Sequence, residues 1–143
     1  MSILLIGACA GGIAGVMIAS AAHIAPLLGA GNFIRDTDEM RVFGRGITRR
    51  EAHLLGVLIH LVLCVVAGVG FAYGVEQNGI SGFHPLPMLG WSTLLLFVTG
   101  GIIMPLEGHG FFGTKHDAWF MVDALFTNLL WGGLYLLLIR LWI

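Results

Sequence analysis

Four long apolar stretches, at about Ile3–Leu28, Ala52–Val75, Leu86–Leu106 and Ala118–Ile139, run through the chain, and nearly every ionisable residue falls at one edge of them. Each reaches or exceeds the ~20 residues that cross ~30 Å of hydrocarbon at 1.5 Å per residue. In hydrocarbon every backbone N–H and C=O must be satisfied within the segment, which leaves the helix as the only open-ended solution. The expected fold is all-α: a polytopic membrane protein, a four-transmembrane-helix bundle forming one domain over residues 1–143, with both termini on the outer side.

Charge content supports that solvent. Charged residues are 10% of the chain and apolar residues 57%, against ~25% and ~45–50% in soluble domains. No basic cluster of the size that grips phosphate backbones occurs, which removes nucleic acid as a partner. Cys9 and Cys64 fall at different depths on the expected spans and read as small packing residues, not a disulfide. The segment Ala19-Ser20-Ala21 resembles a signal-peptidase site, but the first thirty residues hold no Lys or Arg and the apolar run is too long, so it is read as a helix.

Lys and Arg set the orientation. Arg35, Arg41, Arg45, Arg49 and Arg50 lie between the first two spans and Lys115 between the last two, whereas Glu76–Pro85 carries none and Arg140 stands alone near the C-terminus. The positive-inside bias puts the Arg-rich connection 31–51 in the cytoplasm, for a chain in a cell inner (cytoplasmic) membrane. Tyr73, Trp91 and Trp142 fit the outer interface, and Trp119, Phe111 and Phe112 the inner one. Trp131 falls near mid-bilayer, against lipid or a neighbouring helix.

Local signals mark the helix ends and faces. Thr48-Arg49-Arg50-Glu51 and Thr114-Lys115-His116-Asp117 both match the capping box that opens a helix. Asp36–Phe43 is amphipathic enough for a short surface helix. Pro105 and the run Gly108–Gly113 predict a helix end and an interfacial turn whose phenylalanines dip into lipid. Gly7, Gly11 and Gly15 recur every four residues, a spacing that lets helix backbones approach closely, so the first helix is expected at the centre of the bundle. On the second helix His53, Gly56, His60, Cys64, Ala67, Phe71 and Gly74 form the inward stripe, with Leu54, Leu58, Leu61 and Val65 facing lipid. On the fourth the stripe is His116, Phe120, Asp123, Thr127 and Trp131.

The chemistry-bearing residues gather on the Arg side. His23, His60 and Asp123 fall roughly 7–12 Å inside the expected helix ends, with His53, Glu107, His109, His116 and Asp117 nearer the surface; His84 alone lies outside. An ionisable group in hydrocarbon costs ~2.5–3.5 kcal/mol on insertion scales, so Asp123 and His60 need partners. Three arrangements satisfy them. A polar network of His53, His60, Asp123 and Asn128 orders the bundle. Haem b takes His23 and His60 as axial ligands, or a divalent metal takes Glu107, His109, His116 and Asp123. A proton or ion path uses Asp123 with His60 and His23 but finds few polar steps above them. No His-x-x-x-His or Glu-x-x-His pair occurs on a helix, and of Ser2, Ser20, Ser81 and Ser92 only Ser20 lies near a histidine, His23, so classical nucleophilic catalysis finds little support. The leading expectation is an accessory or structural subunit of a larger membrane assembly or homo-oligomer, with lipid, other membrane subunits or itself as partners.

Overall fold

The computed structural model describes residues 2–24, 41–42, 45–46, 48–106, 110–115 and 119–142. Its helices are α1 (Ile3–Ile24), α2 (Arg49–Glu76), α3 (Pro85–Val98), the short α4 (Met104–Leu106) and α5 (Phe120–Trp142). A π-helical turn at Thr99–Ile103 joins α3 to α4, making one span of Pro85–Leu106. Four helices are thus long and apolar enough to cross a membrane: Ile3–Ile24, Leu54–Glu76, Pro85–Leu106 and Met121–Trp142. The expected extension of the first helix to Leu28 lies outside the described residues.

Local chemistry sets the helix ends. Thr48 caps α2 through a complete capping box: its hydroxyl oxygen accepts from the Glu51 amide at 3.3 Å, and the Thr48 amide donates to the Glu51 carboxylate at 2.9 Å. The far end of α2 closes in a Schellman motif. Gly79 N–H donates to Gly74 O at 2.9 Å and Asn78 N–H to Val75 O at 3.0 Å, with Asn78 at φ 58° in the left-handed position. Ile80 then folds over Gly74, where a Cβ would meet its side chain at 2.6 Å. Proline at the first position of α3 loses an amide that had no helical partner anyway.

Two local expectations change. Of the surface helix expected over Asp36–Phe43, only Arg41 and Val42 are described, and they are extended, pairing antiparallel with Arg45 and Gly46. Phe112 packs on the protein instead of projecting outward. It takes φ 52° in a 3₁₀ turn at Phe111–Gly113 and lays its ring in the notch left by Gly100, edge-on to Phe97 at 5.8 Å, while Phe111 is exposed as expected. The notch exists because the π turn carries Gly100 on its buried side. Asp117, the carboxylate of the second expected capping box, lies outside the described residues.

The core is built on glycine. Gly7, Gly11 and Gly15 of α1 are buried against α2, where a Cβ on Gly11 would meet the Gly68 Cα at 3.1 Å and one on Gly15 the Cys64 Sγ at 2.8 Å. Such crossings maximise dispersion contact, the main driving force between helices where lipid is as apolar as protein. Helix α1 packs on both α2 and α5, and α5 on α3, so α1 occupies the central place its small residues implied. Phe71, Tyr135 and Ile139 fill the space around the crossing and are almost wholly buried. Outward, Leu54, Leu58 and Val65 are exposed as expected, whereas Leu61 is half-buried because it reaches toward Gly15. Gly56, expected inside, is exposed with nothing opposite it.

Candidate functional site

Two sets of polar residues have to be located: those placed by sequence on the Arg side, and those buried in the structure. They are largely different sets, with His60 in both. His23 sits in the last turn of α1, exposed, its Nδ1 2.6 Å from the Ala19 carbonyl. Asp123 sits in the first turn of α5, exposed, with its amide donating to Trp119 O at 3.1 Å. A carboxylate there complements the positive end of the helix dipole, and a helix terminus spares it from deep hydrocarbon. His53 lies two turns before His60 on α2. Glu107, His109 and His116 lie outside the described residues.

The inward face of α5 is correspondingly corrected. Phe120 is described by its backbone alone and Thr127 is half-buried; the buried positions are Trp131, Gly132, Tyr135, Leu136 and Ile139. Asp123 falls off that face. Packing chooses it: Gly132 admits Met88 and Ser92 of α3, where a Cβ would come within 2.9 Å of both.

His60 does point into the bundle. Its Nε2 lies 3.6 Å from the Cys64 Sγ, one turn further along α2, and its ring lies near the Gly15 backbone of α1. The residues joined are therefore His60, Cys64 and the α1 backbone, not His60 with Asp123 or His23. Among the described residues no group of three His, Cys, Asp or Glu side chains is arranged to hold a metal ion.

The buried polar groups lie beyond His60, toward the α2 C-terminus. The Trp131 indole donates to the Gly11 carbonyl at 3.2 Å and the Tyr135 hydroxyl to the Gly68 carbonyl at 2.9 Å, both buried. Ser92, fully buried, donates to the Asn128 carbonyl at 3.2 Å. Trp131 and Tyr135 stack at 5.2 Å, and Phe71 meets Tyr135 and Trp91 edge-on at 5.8 Å. Among the described residues, two buried donors, Trp91 Nε1 and Asn128 Nδ2, have no partner. Trp91, expected at the outer interface, packs over Gly70 and Phe71.

Chemically, this arrangement locks helices. Trp131 and Tyr135 reach glycine carbonyls, and a Cβ at Gly68 would crowd the Tyr135 ring at 3.1 Å. Sequence reasoning passed over Tyr135 because its single hydroxyl carries no motif. It passed over His60-x-x-x-Cys64 because the search was for paired histidines, although the four-residue spacing was legible. Comparison with protein-family models, with curated proteins and with solved structures returns no match.

Proposed function

We propose that this chain is a multi-pass protein of a cell inner membrane that serves as an accessory, structural subunit, assembling with other membrane subunits or with itself. One observation carries the reading: among the described residues, the buried polar side chains of Trp131, Tyr135 and Ser92 all donate to backbone carbonyls of neighbouring helices. Polar groups used in that way hold crossings and registers; they are not aimed at a substrate. The apolar surface of α2, where Leu54, Leu58, Val62 and Val66 are more than half exposed, offers lipid or a neighbouring subunit a continuous face.

Orientation follows from the cation distribution, with the 31–51 connection cytoplasmic and both ends of the chain outside. Single cysteines at positions 45 and 79, in a cysteine-free background, test it with an impermeant maleimide. Position 79 should label in intact cells and position 45 only after permeabilisation; the reverse pattern refutes the orientation. Purification in a mild detergent tests the role. The chain should elute as part of a larger particle, and a stable lone monomer at native expression would count decisively against a subunit role.

A further inference from the structure

The His60–Cys64 pair is the one place where the described side chains put two good ligand atoms together inside a span. We infer that it forms an intramembrane site for a soft monovalent metal ion of the Cu(I) class, held between the Cys64 thiolate and the His60 imidazole. The inference rests on α2 being embedded in hydrocarbon, which labelling at positions 45 and 79 tests separately.

Three arguments support it. The first is geometric. With metal–sulfur and metal–nitrogen bonds of ~2.3 and ~2.0 Å, the 3.6 Å Sγ···Nε2 separation corresponds to an angle of about 110° at the metal. A more linear geometry needs the atoms ~4.3 Å apart, within reach of a small rotation of the half-buried His60 ring. Both residues lie on one helix at i and i+4, so the backbone holds the pair in register.

The second argument is the ligand set. Thiolate with imidazole selects soft ions, and a thiolate prefers Cu(I) over hard cations that seek oxygen. Opposite the pair stands Gly15, so α1 presents backbone and no competing side chain at that point. Of the pair, the Cys64 side chain is buried and the His60 ring half-buried.

The third argument is charge. On binding, the thiol proton leaves to solvent, a metal–sulfur bond replaces the S–H bond, and the imidazole lone pair completes the coordination. No electron is transferred. Thiolate plus a monovalent cation is neutral, so the loaded site adds no net charge to the hydrocarbon. A divalent ion on the same two ligands would leave an uncompensated positive charge there, which the membrane penalises. Charge balance thus chooses the monovalent ion over zinc.

The test uses the full chain in detergent micelles, titrated anaerobically with Cu(I) against a chromophoric Cu(I) chelator. Wild type and Cys9→Ser should each take up one equivalent, and X-ray absorption should show sulfur and nitrogen in the first shell. Cys64→Ser should lose the site. His60→Ala should weaken it by at least the ~10–100-fold that loss of a supporting partner costs a metal site. To avoid dependence on a fragile variant, the lone Cys64 of Cys9→Ser is also alkylated with N-ethylmaleimide with and without Cu(I). Protection that disappears in Cys9→Ser/His60→Ala supports the paired site. Equal protection in both, uptake that survives Cys64→Ser, or no uptake by wild type overturns it.

Discussion

Replacing Gly68 by alanine should weaken the bundle far more than the same change at Gly56, although both glycines lie on α2. A Cβ at Gly68 meets the Gly7 carbonyl oxygen, the Gly11 Cα at 3.0 Å and the Tyr135 ring at 3.1 Å. Two of those three neighbours are backbone, which cannot rotate aside, so α1 and α2 must separate. Overpacking of this kind costs ~1–3 kcal/mol. Separation also strains the Tyr135–Gly68 hydrogen bond, and interhelical bonds in membranes average ~0.6 kcal/mol with a maximum near 1.7. Together these give about 2–4 kcal/mol. At Gly56 nothing lies within 4 Å, and alanine's better helix propensity favours the variant by up to ~1 kcal/mol. Reversible unfolding of both variants in mixed micelles, followed by Trp fluorescence, measures the difference. Equal stabilities would refute the reasoning, because they would mean that the α1–α2 backbones are not in contact at this crossing.

Three further outcomes are expected. Thr48→Ala should fray the start of α2 at a cost of ~0.5–2 kcal/mol, read as faster amide exchange at Glu51; unchanged exchange would deny the cap. Glu51 is held below the ordinary carboxylate range by the Thr48 backbone N–H and then by the Thr48 hydroxyl. A depressed folded-state pKa means its stabilisation is complete above the unfolded value of 4.5 and is lost as pH falls through the lower folded value. Acid titration monitored at those amides should therefore show the cap intact at neutral pH and opening only below that value, and opening near pH 7 would contradict it. Asn128→Leu should be neutral or stabilising in thermal unfolding, since it removes a buried amide donor that has no partner. A large loss of stability would show that Asn128 has a partner after all.

The expected helix spans agree with the observed ones within a few residues at the described ends, and so does the Thr48–Glu51 cap, because each depends on a handful of neighbouring residues. The glycine ladder of α1 was legible for the same reason: a four-residue repeat states which face is small, whatever packs there. Site placement was less legible. The depth assigned to Asp123 assumed a helix beginning at Ala118, and the first α5 residue described as helical is Phe120, so the acid moves to a helix end. The expected stripe meets the packed face at Trp131, whereas its Asp123 end falls off it. The π turn at Thr99–Ile103 also escaped notice, since an extra residue in a turn leaves no mark on hydropathy.

Sequence by itself determined four apolar helices, their approximate limits and the close-packing face of α1. Span length is set by the thickness of the surrounding solvent, and helix caps by local hydrogen bonding. Only the tertiary structure decided that Trp131 and Tyr135 donate to Gly11 and Gly68, that Trp91 turns inward, and that His60 meets Cys64 and α1 instead of Asp123. Those choices depend on which glycines cross and at what level. In a medium as apolar as the side chains, shape complementarity ranks the alternatives, and hydropathy does not encode shape.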